Sequence, residues 1–194
     1  MTAILANGAF PAPGTRAREL FDTARRVVCC DGAADTYRAA TGMECDLVVG
    51  DLDSLRSLPS NCIRIAEQET NDLEKAVRAC RELGYRDLVI FGATGLRDDH
   101  TLGNIFRALA LGVDIATDYG YFHFVASAAS FSCPPGTSVS IFASNPATRC
   151  TSTGLEWPLD GVRFENLYCA TLNRTSGPEF SISTTHPVFV YIAC

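Results

Sequence analysis

No segment of the 194-residue sequence approaches the ~18 consecutive apolar residues that a membrane-spanning helix requires. The first apolar stretch, Ile4 to Ala6, has no basic flank before it and no small-residue cleavage pattern behind it, so no signal peptide is expected. Positive charge is also in short supply. Sixteen Lys and Arg stand against twenty-two Asp and Glu, a net charge of -6, which argues against a protein that binds nucleic acid by neutralising its phosphates. Cys-x-x-Cys pairs are missing: Cys29, Cys30, Cys45, Cys62, Cys80, Cys133, Cys150, Cys169 and Cys194 are odd in number and scattered. Neither a zinc site nor an oxidised scaffold is favoured, and several of these cysteines fall in apolar runs, as buried thiols do. The Gly-x-x-x-x-Gly-Lys-Ser/Thr loop, the Gly-x-Gly-x-x-Gly fingerprint, internal repeats and low-complexity tracts are absent too. What is left is a globular, cytoplasmic protein with no membrane or nucleic-acid partner. If such an acidic chain handles anionic substrates, metal ions must offset the repulsion.

What is present reads as two regions. The first ~125 residues alternate short apolar runs with amphipathic stretches, the pattern of a parallel sheet with crossover helices. Strands are predicted over Ala3 to Ala6, Arg26 to Cys30, Leu47 to Val49, Cys62 to Ala66, Leu88 to Gly92 and Asp114 to Thr117. Helices are predicted over Thr15 to Ala24, Ala33 to Ala40, Asp72 to Leu83 and Asp98 to Leu111. The third opens on Asn71 with Glu74 three residues on, a capping-box arrangement, and in the fourth Leu102, Ile105, Phe106 and Leu109 recur on one face. From about Tyr121 the chain changes to short β-type runs, Tyr121 to Ala126, Ser138 to Phe142 and Val188 to Ile192, separated by Pro, Gly, Ser and Asn. The expected architecture is an α/β domain over residues 1–122, three-layered with a mostly parallel sheet, followed by a small β-sandwich or barrel-like domain over 123–194.

Four segments carry candidate chemistry, each at a strand end or a helix start. In Val48-Val49-Gly50-Asp51-Leu52-Asp53-Ser54 an apolar strand runs into two carboxylates one residue apart. Positions i and i+2 of an extended segment face one side, so Asp51 and Asp53 can converge on a hard cation such as Mg²⁺. An acidic turn accounts for the same residues. Cys30-Asp31-Gly32-Ala33-Ala34 repeats the placement, with Asp31 open to a helix-capping role or a direct one. In Asn71-Asp72-Leu73-Glu74-Lys75-Ala76, Asp72 and Lys75 share a helix face: Asp72 suits a metal and Lys75 a phosphate, although an ion pair at the helix start is the plainer reading. Finally, Gly92-Ala93-Thr94-Gly95-Leu96-Arg97-Asp98-Asp99-His100 joins a strand, a glycine-containing turn and a helix start. There backbone N–H groups and the planar fork of Arg97 could meet phosphate, with Asp99 and His100 as metal or polar contacts. Open α/β sheets bind ligands at the carboxyl ends of their strands, where all four segments would converge.

Taken in order, these segments resemble the thiamine pyrophosphokinase family. More weakly, Thr153-Gly154-Leu155-Glu156-Trp157-Pro158-Leu159 and Ala170-Thr171-Leu172-Asn173 are similar to that family's vitamin-side segments. The chain departs from the family pattern at Leu96, at Asn71 and at Leu172, the last replacing a hydroxyl residue. The resemblance implies an N-terminal domain for ATP and Mg²⁺, a β domain contributing to thiamine binding and dimerisation, and a homodimer with active sites between subunits. It implies transfer of pyrophosphate from ATP to thiamine, giving thiamine diphosphate and AMP. On this basis Asp51, Asp53, Asp72 and Asp99 are expected to form the catalytic metal cluster. Asp31, Lys75, Arg97, His100, Trp157 and Asn173 are expected to contact substrates. Trp157 would stack on a ring of the vitamin, with a sandwich-core tryptophan as the alternative. A metal-dependent nucleotide phosphohydrolase and a noncatalytic thiamine or nucleotide sensor are the competing functions.

Overall fold

The structure is a computed structural model that describes residues 1–53 and 59–194. Ser54, at the end of the first acidic segment, lies outside the described residues. The chain divides into two compact units, Met1–Asp118 and Tyr119–Cys194. That division falls before the expected 122/123 boundary, which would cut through a strand.

In the first unit, apolar runs long enough only for strands alternate with capped helices. These are β1 (Thr2–Leu5), α1 (Arg16–Asp22), β2 (Arg26–Cys30), α2 (Ala33–Thr41), β3 (Leu47–Gly50), β4 (Cys62–Arg64), α3 (Asp72–Glu82), β5 (Leu88–Phe91), α4 (Asp98–Leu111) and β6 (Asp114–Thr117). The strands pair in parallel in the order β6-β5-β1-β2-β3-β4. Parallel strands covered by crossover helices are buried on both faces, and β1 and β3 are buried at every position. Helix starts follow the caps: Thr15 accepts from Arg18 N at the head of α1, and Asn71 Oδ1 accepts from Glu74 N at 3.0 Å at the head of α3. In α4 only Ala108 and Leu109 are buried, while Leu102 is exposed, so the apolar face expected over its whole length is covered only in its last turns.

The sheet order fixes where a ligand can sit. From β1 the chain builds outward through β2, β3 and β4, then returns to add β5 and β6 on the other side of β1. The switch point therefore lies at the carboxyl ends of β1 and β5, where open α/β sheets bind their ligands. The loops after β1 and β5 are laced together by main-chain hydrogen bonds: Ala6 N to Phe91 O, Gly8 N to Gly92 O and Ala9 N to Thr94 O, each 2.8 Å. Gly8 is required by this approach, since a Cβ there would stand 2.2 Å from the Gly92 carbonyl oxygen.

The second unit contains β7 (Gly120–Val125), β8 (Ala128–Ser132), β9 (Ser138–Ala143), β10 (Cys150–Thr153), β11 (Asn173–Arg174), β12 (Glu179–Thr184) and β13 (Val188–Ala193). Two antiparallel sheets result, β11-β9-β13-β7 and β10-β12-β8. Alternate side chains point inward. Val125, Val139, Ile141, Val188 and Val190 from one sheet meet Cys150, Phe180 and Ile182 from the other in a single core, making a β-sandwich. The sequence reading missed β8, β10, β11 and β12, whose Ser- and Thr-rich runs have a weak apolar alternation.

Candidate active site

The carboxyl end of β2 turns sharply at Asp31, which adopts φ 37°, a left-handed conformation that aspartate tolerates better than most residues. Helix α2 starts at once, with Gly32 as its N-cap. Beside it, β3 ends in Gly50, and a Cβ there would lie 2.9 Å from Asp31 Cβ, so glycine is what lets the two strand ends come together. Past Gly50 the chain leaves the strand and Leu52 takes φ 66°, with its side chain buried. Asp51 and Asp53 converge across this left-handed turn rather than by the extended alternation expected. Carboxylate oxygens of Asp31, Asp51 and Asp53 lie within 4.8 Å of one another.

Three carboxylates this close repel one another unless a cation offsets them, and their hard oxygen donors fit a hard divalent ion such as Mg²⁺. Asp51 is held in its ionised form. The Gln68 amide donates to Asp51 Oδ2 at 3.1 Å and is the main cause holding its carboxyl below the usual range, while Arg64 Nε donates to the Asp51 main-chain oxygen at 3.2 Å. Neither Gln68 nor Arg64 was singled out from sequence, since nothing local ties them to Asp51 and only the packing of β4 and its following loop against β3 brings them near.

At the switch point a cavity of about 580 Å³ opens. Asn7, Asp31, Asp72, Arg97, Asp99 and His100 are among its walls, and the segments after β1 and β5 form its floor. Asp31 thus belongs to both the cavity wall and the acidic trio. Asp72 and Asp99, expected in the metal cluster with Asp51 and Asp53, stand outside the trio and each faces a cation. Asp72 Oδ1 pairs with Lys75 Nζ at 3.2 Å. Asp99 accepts both prongs of Arg97, at 3.1 and 2.6 Å, and this fork holds its carboxyl down to about 2. Burial, and then the negative charge of Asp72, pushes the Cys30 thiol up, so that wall residue stays neutral.

Lys75 is the only lysine in a chain whose remaining basic residues are all arginine, and its side chain is only 2% exposed. Buried on α3 among Leu73, Ala76 and Cys80, its ammonium has Asp72 as its ion-pair partner. Asn7 and Gly8 went unnoticed in the sequence, although the rule that points to strand ends applies to β1 as much as to β2, β3 and β5.

The remaining two predicted residues lie in the second unit. Trp157 is 51% exposed and lines a cavity of about 300 Å³, so it is not the core tryptophan of the sandwich. Asn173, expected to touch the vitamin, is buried. Its Nδ2 donates to Trp157 O at 2.7 Å, and its Oδ1 accepts from Trp157 N at 3.2 Å and Arg174 N at 2.8 Å. With these bonds to main chain it positions Trp157, and it lines the same cavity.

The sequence matches two family models, thiamin pyrophosphokinase, catalytic domain, over residues 17–116, and thiamin pyrophosphokinase, substrate-binding domain, over residues 120–191. A search of curated proteins finds no match. Among solved structures, the thiamin pyrophosphokinase family protein from Enterococcus faecalis is 18% identical, with a TM-score of 0.77 over 100% of this chain and 98% of that one. Thiamin pyrophosphokinase from Geobacillus thermodenitrificans is 20% identical, with a TM-score of 0.77 over 100% of this chain and 98% of that one. Yeast thiamin pyrophosphokinase is 15% identical, with a TM-score of 0.78 over 99% of this chain and 85% of that one. At these identities the structural likeness is one of fold.

Proposed function

The chain belongs to the thiamin pyrophosphokinase family and its reaction is the transfer of pyrophosphate from ATP to thiamine, and we propose that it does so with Mg²⁺ held by Asp31, Asp51 and Asp53 and with ATP in the cavity at the switch point. The observation that carries this reading is the double position of Asp31, which shares its carboxylate between the acidic trio and the cavity wall. When bound, the metal would offset the negative charge of the phosphate oxygens.

The chain's own groups divide the remaining work. Lys75 and Arg97 supply positive charge toward the phosphates, and Asp72 and Asp99 hold those two cations in place until the nucleotide arrives. Gln68 and Arg64 hold Asp51 from the side chain and the main chain. His100 lines the same cavity and offers a polar contact to the nucleotide. Trp157, with Asn173 behind it, offers an aromatic face to a flat, cationic ring of the vitamin. The hydroxyl oxygen of thiamine bonds to the β-phosphorus and its O–H bond breaks with release of the proton to solvent, while the bond from that phosphorus to the oxygen bridging it to the α-phosphorus breaks and AMP departs.

In this reading the first unit holds ATP and metal, while the second contributes to thiamine binding and to a homodimer with active sites between subunits. The protein works in the cytoplasm. Two observations are consistent with that setting: no helix among the described residues is long and apolar enough to cross a membrane, and all nine cysteines are free thiols.

A mass-resolved product assay tests the proposal, using ATP, thiamine and Mg²⁺, with controls lacking thiamine or metal. Thiamine diphosphate and AMP that require both are expected. ADP and phosphate formed without thiamine would instead make the protein a nucleotide hydrolase, and ligand binding without products would make it a sensor.

A further inference from the structure

Three consecutive carbonyl groups beyond β5 are each taken by a donor from elsewhere in the first unit. Gly8 N donates to Gly92 O and Ala9 N to Thr94 O, each at 2.8 Å. Between them, Asn104 Nδ2 donates to Ala93 O at 3.1 Å. The outer two donors are main chain from the segment after β1, whereas the central one is a side chain in the second turn of α4. A peptide unit is planar and trans, so the N–H that follows a carbonyl points the opposite way. Fixing these three carbonyls thus fixes the N–H groups of Ala93, Thr94 and Gly95, and none of the three donates a hydrogen bond among the described residues. Ala93, Thr94 and Asn104 all line the cavity of about 580 Å³ at the switch point.

The Asn104 bond acts in two directions. Ala93 is buried, so its carbonyl, once released, would rotate toward a new partner and carry the Thr94 N–H with it. The bond also closes a stretch of chain from Ala93 to Asn104 that contains Arg97, Asp99 and His100, and so ties the first turns of α4 to the end of the sheet. Packing gives that end of the helix little hold, since its buried residues, Ala108 and Leu109, lie in the last turns and Leu102 is exposed.

We propose that Asn104 is a positioning residue for the transfer of pyrophosphate: through Ala93 it keeps the N–H groups of this turn presented to the polyphosphate of ATP, and through α4 it keeps Arg97 in the same wall. Unpaired main-chain N–H groups beside a guanidinium suit the oxygens of a polyphosphate. The inference rests on the placing of ATP in the switch-point cavity.

The test uses the full chain with Mg²⁺ and inorganic tripolyphosphate, a probe that carries neither base nor ribose and so reports on the phosphate-facing groups alone. In ¹H–¹⁵N NMR spectra of wild type, the amide protons of Ala93 and Thr94 are expected to move downfield as tripolyphosphate binds. In Asn104→Leu, which has a similar volume and no donor, tripolyphosphate Kd and ATP KM should each rise by about tenfold, the low end of what hydrogen bonds to a charged group contribute. Thiamine KM should stay within about twofold of wild type, because uniform binding of that substrate is untouched. A merely structural residue would lower the melting temperature and raise both KM values alike; that pattern would overturn the inference, and so would an unchanged tripolyphosphate Kd. Asn104→Ala repeats the comparison should the leucine variant not fold, and the wild-type spectra decide independently of either variant. If wild type forms thiamine diphosphate and binds tripolyphosphate yet the Ala93 and Thr94 amides stay in place, the inference falls while the reaction stands. Amides that move in a protein forming no thiamine diphosphate would overturn the reaction and support the turn held by Asn104 as a polyphosphate site.

Discussion

Asn173 grips Trp157 by its main chain, donating from Nδ2 to the Trp157 carbonyl at 2.7 Å and accepting from the Trp157 N–H at 3.2 Å. The two residues are sixteen positions apart, so this clamp ties the loop after β10 to β11 and fixes the aromatic face at the mouth of its cavity. Replacing Asn173 with Asp keeps the acceptor and removes the donor, leaving the Trp157 carbonyl without that hydrogen bond. The expected cost is about 1–3 kcal/mol of stability. Trp157 emission should shift and thiamine KM should rise more than ATP KM. Denaturant unfolding and steady-state kinetics of Asn173→Asp check this.

Gln68 orients a carboxylate of the acidic trio without belonging to it. Groups that hydrogen-bond to metal-ligating side chains commonly alter metal affinity by ~10–100-fold when removed. Gln68→Leu should therefore weaken divalent-ion binding by that order while leaving the melting temperature close to wild type, because the site is exposed. Calorimetric titration with Mn²⁺ in place of Mg²⁺ measures the affinity directly, and an unchanged value would remove Gln68 from this role.

Lys75 is a charge taken out of water next to an aspartate that keeps partial access to it. In Lys75→Met the apolar stem remains, the buried ammonium is gone and Asp72 can be hydrated, so stability should be unchanged or raised. Turnover should fall by about 10²–10³, the usual loss when one group that stabilises developing charge is deleted. Folding and function thus move apart in one variant. As the sole lysine, Lys75 is also the only side-chain amine in the chain, and its burial should make it slow to react with an amine-directed reagent in mass-spectrometric labelling.

The Arg97–Asp99 fork sets a pH signature. Asp99 is held down to about 2 from an ordinary 3.8, with the Arg97 hydrogen bonds as the leading cause. The interaction is therefore complete above pH 3.8 and is lost as the pH falls through about 2. In Arg97→Met the Asp99 midpoint should rise back toward 3.8, as followed by carboxyl-detected NMR. A midpoint that stays near 2 would show that something other than Arg97 holds the carboxylate.

Local chemistry was enough to read much of this from residues alone. β2, α4 and β6 follow from apolar runs and turn residues, the start of α3 from the Asn71 cap, and the strand-end positions of Asp31 and Asp51 and the helix-start positions of Asp72 and Arg97 from the alternation of strand and helix. Those features depend on neighbours a few residues away. The sequence by itself determined a parallel α/β unit followed by a β unit, and the set of charged groups gathered at the carboxyl ends of the strands. Only the tertiary structure decided which of those groups meet. Asp31 joins Asp51 and Asp53 because Gly50 admits close contact between β2 and β3 and Leu52 turns left-handed, while Asp72 and Asp99 are each drawn to a nearby cation. It also decided that Asn173 holds Trp157 by its main chain, and that Leu172 stands exposed beside them. Distances between residues far apart in the chain follow from strand order and packing, and no pattern within a short window of sequence encodes them.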